Sequence, residues 1–401
     1  MSTNPKFDLA GRTIALLFAA QWMVFEFKLR SWDQLEVTAR FFLGHDFEFL
    51  YAAAGYFLSG RSPYVETSFV PLPPALYLPL LLHRLPFWNA AIAFRAISFF
   101  LALAAILWLC RELRLNALNF ALILVITLTY GPFYSVLVGG NLDALMLVFL
   151  VFACARNKWV RGVFLGISIG TKLYSLLLIP VLVVRRRWRE LICAMVTLVI
   201  LLVPFLRYMP DAFSSVFHRT SVLRLSSNES PAVLFILLFG QARVWAWRSC
   251  YVLLWGGTLL ARLIADSRDA TDSESERFRG IDYLPWMAGA PLLVFTYTGT
   301  ILLPFIVCLV KKSQERKLNW AEWTSISGFL LTGIYSIIGE WVLVSVFPTS
   351  VAKEMLMIAA PLGISMMLIG SSLSARKSVF GVSRVKHGAR DNDETLLPAG
   401  T

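Results

Sequence analysis

Charge is scarce in this chain. Only 15% of its 401 residues are Asp, Glu, Lys or Arg, against about 25% in a typical soluble domain. Cysteine is scarce as well. The five present (Cys110, Cys154, Cys193, Cys250 and Cys308) lie in or at the ends of apolar runs, too far apart for a metal motif or a disulfide framework, so no disulfide and no metal site are expected. There is no phosphate-binding loop of the Gly-x-x-x-x-Gly-Lys kind, no Gly-rich dinucleotide fingerprint after a strand, and no His-Glu-x-x-His. Nucleotide-driven chemistry therefore has no visible domain to hold it, and no cofactor is expected. Alternation of apolar and polar residues with a period of two is missing too, which excludes barrel strands.

What the chain has instead is apolar sequence, 57% hydrophobic overall. It comes in runs over residues 14–27, 90–109, 118–138, 142–155, 191–205, 244–260, 326–347 and 355–371. About 20 apolar residues cross a bilayer core, so the fold class expected is an all-α, polytopic transmembrane bundle of about 10–12 spans. The first run is read as a span and not as a cleavable signal, because Glu26, Lys28 and Arg30 stand at its end where small residues would be cleaved. The formal charge of +12 is no sign of a nucleic-acid partner. Lys and Arg collect in short loops between apolar runs, and such loops face the cytoplasm.

That rule puts Arg111, Arg114, Arg156, Arg161, residues 185–189, Lys311, Lys312, Arg316, Lys317, Arg376 and Lys377 inside. A first outer loop then covers about residues 30–88 and a second about 207–243, within a membrane domain of residues 1–375. Residues 266–279 read as a polar cytoplasmic linker, and residues 376–401 as a disordered cytoplasmic tail. Two helices that do not cross are expected in the first loop: residues 46–59, stopped by Gly60, and a second from Pro73-Pro74 to about Arg84. Residues 162–184 are apolar but have basic flanks on both sides. A helix pair broken around Gly170-Thr171-Lys172 keeps both flanks inside, and residues 281–310 read the same way. Broken helices need protein or water to cover their backbone, which implies a cavity on the outer side.

Ionisable groups in such a setting are expensive to place and are functional candidates. His45, Asp46 and Glu48 stand together after the first span. Positions 46 and 48 of a helix point roughly opposite ways, so only one acid can line a given cavity easily. Asp46 is either a helix N-cap or a functional acid, and Glu48 either a first-turn acid suited to the helix dipole or a substrate contact. Lys172 either snorkels to the interface or holds an anion such as phosphate. Asn141 and Asp143 sit in an outer turn that could be no more than a Gly-Asn turn. Arg219 and Arg224 in the second outer loop fit a lipid phosphate or simple solvation, and His218 is a candidate base.

Taken in order, these elements resemble the C-type membrane glycosyltransferases, and within them family 87. The matching residues are Asp46-Phe-Glu-Phe-Leu-Tyr51-Ala-Ala-Ala, Gly60-Arg-Ser-Pro63-Tyr64, Pro73-Pro74-Ala75-Leu76-Tyr77, Gly140-Asn141-Leu142-Asp143, Gly166 to Lys172 with Pro180 and the basic-Trp run 185–189, and Asn228-Glu229-Ser230. The resemblance implies a glycosyltransferase C-type bundle with interfacial helices in the first outer loop. It implies transfer of a sugar, mannose by the family's habit, from a polyprenyl-phosphate donor to a lipid or glycan acceptor at the outer face of a bacterial inner membrane. It makes Asp46 the catalytic base and assigns substrate binding to His45, Glu48, Tyr64, Asn141, Asp143, Lys172, His218, Arg219 and Arg224. Thr296 stands where the family often carries His. A lipid or solute transporter, or an inactive scaffold of the same fold, remain the alternatives.

Overall fold

A computed structural model describes residues 45–65, 71–220, 231–240, 242–268, 277–289, 296–333 and 349–381. Helices account for all the regular structure among them, and no strand occurs. The first run (14–27), Arg224, the stretch Asn228-Glu229-Ser230 and residues 382–401 lie outside the described residues.

The two expected helices of the first outer loop are present. Helix α1 is His45–Leu58, and Gly60 follows it at φ +77°, a left-handed conformation in which only glycine is unstrained. A 3₁₀ turn, Pro73–Leu76, leads into α2, Tyr77–Leu82. Proline at the start of the turn loses no hydrogen bond, since the first N–H groups of a helix have no internal acceptor. Together these pieces form a small core of their own with Phe47, Tyr64, Leu76, Phe94, Phe205 and Tyr208.

Helix α3, Phe87–Glu112, has 26 residues and is long and apolar enough to cross a membrane alone. Helix α4 (Ala117–Thr129) is capped by the Asn116 side chain and breaks at Tyr130 ahead of Pro132. Helix α5 (Gly131–Gly139) ends on Gly140 at φ +68°, and α6 (Asp143–Phe152) follows at once. Next come α7 (Lys158–Thr171), a 3₁₀ turn (Leu173–Leu177) and α8 (Leu178–Val184). Helix α9 (Trp188–Leu202) continues through the turn Val203–Tyr208 into α10 (Met209–Thr220). The stretch Trp188–Ser215 is the second one long and apolar enough to cross. Helices α11 (Ala232–Phe239), α12 (Val244–Arg268), α13 (Leu284–Gly289), α14 (Leu303–Glu315), α15 (Trp320–Thr332) and α16 (Thr349–Gly381) complete the order. The second outer loop thus carries helix α10 and helix α11, and α16 runs past residue 376.

The break near Lys172 is a true reversal. Glycine contacts set the direction of the neighbours. Gly162 faces Glu190 and Cys193, and Gly166 faces Ala194 and Thr197. Both sets of numbers rise together, so α7 and α9 run parallel and the segment between them must travel back. Lys172 makes the turn in extended backbone (φ −145°, ψ 129°). The return brings the two basic flanks together: Arg161 and Arg187 both pair with the buried Glu190 carboxylate. By contrast α15 and α16 are antiparallel, with Gly328 against Gly363 and Gly370 against Ala321 and Ser325.

The ends of the expected polar linker are not solvated. Asp266 and Arg277 are 2% and 4% exposed. Asp266 takes Arg262, Arg279 and the Tyr283 hydroxyl, and Arg277 pairs with Glu112. The physical reason is pairing: a buried charge is tolerable once an opposite charge and hydrogen bonds surround it. Large apolar side chains cover the outside instead, among them Leu81, Leu118, Leu238, Trp245 and Leu253, each more than 70% exposed. Surface of that kind is what lipid, not water, solvates.

Candidate active site

Asp46 lies in the first turn of α1, half-buried. Its neighbour Phe47 is completely buried, and its ring sits 4.8 Å from the Phe94 ring of α3. Phe47 also lies against Gly140, where any Cβ would come within 2.8 Å of the Phe47 Cβ. A Cβ at Gly139 would stand 3.1 Å from Asp46 Oδ2. The two glycines therefore let α1 settle onto the α5–α6 turn, and this contact carries Asp46 to its partners.

Those partners form one connected network. Asn141 Nδ2 donates to Asp46 Oδ2 at 2.9 Å. Its carbonyl oxygen accepts from Lys172 Nζ at 3.2 Å and from the Asp143 backbone N–H at 3.1 Å. Lys172 Nζ also reaches Asp143 Oδ2 at 2.8 Å, and the Tyr174 hydroxyl donates to Asp143 Oδ1 at 2.5 Å. The order is Asp46, Asn141, Lys172, Asp143, Tyr174. Three separate elements supply it: α1, the α5–α6 turn, and the break between α7 and the 3₁₀ turn Leu173–Leu177.

The geometry gives each group a distinct character. Asp143 is 0% exposed and both its oxygens are engaged, so its carboxylate holds Lys172 and has no opening toward a ligand. The Lys172 side chain keeps 17% of its surface exposed. Lys172 pairs with Asp143, and Asn141 links that pair to the Asp46 carboxylate. Asn141 fixes the acceptor edge of Asp46 without neutralising it. A carboxylate held in this way can take a proton from a hydroxyl placed against it.

The other expected residues are placed as follows. Glu48 is exposed, on the other side of α1 from the network. Tyr64 is buried and donates to the Pro71 carbonyl at 2.8 Å, which ties the first outer loop together. Burial, and then the Asp211 charge, raise its hydroxyl above the ordinary range, so it stays a protonated donor. His45 is the first residue of α1, and His218 and Arg219 fall in the last turn of α10. Thr296 opens a 3₁₀ turn, Thr296–Leu302, that packs on α5 and α6, the helices flanking Asn141 and Asp143.

Tyr174 was not anticipated from sequence. It enters the network because the 3₁₀ turn Leu173–Leu177 follows Lys172 directly. The Tyr51 and His83 rings also stack unannounced, 4.4 Å apart, and the Tyr51 hydroxyl donates to the Leu85 carbonyl. Among the described residues no group of three or more His, Cys, Asp and Glu could hold a metal ion.

The family model for glycosyltransferase family 87 matches residues 71–279. That stretch contains Asn141, Asp143, Lys172 and Tyr174 and begins after Asp46. No curated protein matches the chain.

Proposed function

This chain belongs to glycosyltransferase family 87, and from that premise we propose that it moves a sugar, mannose in our reading, from a polyprenyl phosphate to a lipid or glycan acceptor, with Asp46 as general base. The reaction takes place at the outer face of a bacterial inner membrane, where the basic-loop rule puts the first outer loop. The acceptor hydroxyl attacks the anomeric carbon and its proton passes to the Asp46 carboxylate. As the new C–O bond forms, the bond from the anomeric carbon to the phosphate oxygen breaks, and the electron pair leaves with the polyprenyl phosphate. One displacement inverts the anomeric centre. No covalent sugar–enzyme intermediate is needed, which suits one essential acid and not a close pair of nucleophile and acid.

The observation that carries this reading is the Asn141 hydrogen bond to Asp46 Oδ2. It joins an acid of the first outer loop to a turn that the family model covers, and a base has to be held in orientation to work. The departing phosphate needs cations and not a general acid. The partly exposed Lys172 ammonium is the nearest in the network, and Arg219 and Arg224 are assigned to the same task. Preorganised charge of this kind acts most strongly where water is excluded. Glu48, His45 and His218 are assigned to substrate binding.

The test is Asp46→Asn. Asparagine can still accept the Asn141 hydrogen bond and caps a helix about as well as aspartate, so the fold should stand. Transfer of labelled sugar from a polyprenyl phosphate to membrane acceptors is expected to fall about 10²–10⁴-fold, with an unchanged melting temperature in detergent. Transfer near the wild-type rate would remove Asp46 as the base and move the role to Glu48.

A further inference from the structure

Helices α4, α14 and α15 line an open apolar groove of about 560 Å³. Its walls are Leu122, Ile126, Ile306, Leu309, Phe329 and Leu330, and its rim is Ser313, Arg316, Lys317 and Trp323. The groove is open on one side, where Leu122 and Leu330 are 46% and 60% exposed, and its volume falls in the range of a ligand site, about 300–1,000 Å³.

Side-chain contacts tie α4 to α14 at one end of the groove and to α15 at the other. At one end the Gln314 side chain accepts from the Asn116 N–H at 3.2 Å and from Asn119 Nδ2 at 3.3 Å. At the other end the Tyr130 and Thr332 hydroxyls meet at 2.7 Å, and the Tyr130 ring stacks on Phe329 at 4.5 Å. Arg316 is committed to Glu322 by two hydrogen bonds of 2.8 and 2.5 Å. The exposed Lys317 ammonium has no such partner among the described residues. Glu315 beside it is paired with Lys311, so with Arg316 held by Glu322 the Lys317 charge leaves the rim positive. Trp320 and Trp323 are more than half exposed beside it, where a ring with one apolar side and one polar edge suits the membrane interface. From Trp320 to Leu330 α15 rises roughly 15 Å, half of a hydrocarbon core of about 30 Å.

We propose that this groove binds one anionic glycerophospholipid of the cytoplasmic leaflet, with an acyl chain between α4, α14 and α15 and its headgroup phosphate at Lys317. The depth is that of one leaflet. The apolar walls take the chain, the cationic rim takes the phosphate, and the basic loop that carries the rim faces the cytoplasm. The site is independent of the sugar-transfer reaction and shares no residue with the Asp46 network.

The full chain, purified into nanodiscs of equal parts phosphatidylglycerol and phosphatidylcholine, is released into the gas phase and its retained lipids are weighed by native mass spectrometry. Phosphatidylglycerol is expected to be retained over phosphatidylcholine. Lys317→Glu should reduce that retention about fivefold or more, since each lysine near an anionic headgroup contributes about that factor. Leu122→Trp, which fills the groove from α4, should abolish it. Melting temperatures in lipid-free detergent identify a variant that has simply lost its fold, and the other variant then decides. Equal retention of both lipids by the wild type would overturn the proposal. So would unchanged retention in a folded variant, or preferred retention of added polyprenyl phosphate.

Discussion

Removing the Lys172 ammonium leaves the Asp143 carboxylate, 0% exposed, without a cation. Breaking a buried pair from one side costs about 3–5 kcal/mol, so Lys172→Met is expected to lower the melting temperature in detergent before it says anything about catalysis. Lys172→Met combined with Asp143→Asn removes both charges and keeps an acceptor for the Tyr174 hydroxyl, and it should regain most of that loss. Sugar transfer by the double variant then separates two roles. Lost turnover in a folded protein assigns the Lys172 charge to the donor phosphate, while full turnover leaves Lys172 as a holder of the network. Asp143 follows a Gly-Asn turn, and the return of the chain at Lys172 brings the ammonium onto its buried carboxylate.

At the scale of elements, the contact between α7 and α9 rests on two glycines. A Cβ at Gly166 would stand 2.5 Å from the Ala194 carbonyl oxygen, and backbone cannot step aside as a side-chain tip can. Gly166→Leu should therefore push α9 off α7 and cost about 1–3 kcal/mol or more, read as a fall in melting temperature. Gly257 in α12 has nothing within 4 Å of its would-be Cβ, so Gly257→Ala should be neutral or stabilising by up to about 1 kcal/mol. A fall in both variants alike would mean that glycine flexibility, not close approach, matters in these helices. The reversal itself was legible beforehand, since an apolar run with basic residues at both ends cannot cross once without placing one cluster outside. The parallel alignment of α7 with α9 was not, because it depends on which helix faces the glycines meet.

For the whole molecule, orientation is the property to test. Arg187 is a poor reporter, since its side chain is 11% exposed behind Glu190. Arg61 and Arg114 are both exposed and sit on loops expected on opposite sides. With the native cysteines replaced, Arg61→Cys should react with an impermeant thiol reagent in intact cells, and Arg114→Cys only after the membrane is opened. The reverse pattern would place Asp46 in the cytoplasm and remove the polyprenyl-phosphate chemistry with it. The buried pairs around Glu190 provide a second whole-molecule check. Glu190→Gln removes the buried carboxylate with which Arg161 and Arg187 both pair and should cost about 3–5 kcal/mol, measured as loss of thermal stability.

The sequence by itself determined the helical class, the short helices of the first outer loop and their stop at Gly60, the break at Lys172, and the acids and cations worth testing. Each of these follows from hydropathy, charge parity or glycine and proline chemistry, which act over a few residues. The tertiary structure decided which of those residues meet. Asn141 bonds to Asp46 across 95 positions and Lys172 to Asp143 across 29, and no local pattern encodes either distance. They arise because Phe47 buries itself against Gly140 and Phe94, and because the chain doubles back after Thr171. The same packing makes Asp143 the buried counter-ion of Lys172, and Arg161 and Arg187 the partners of Glu190.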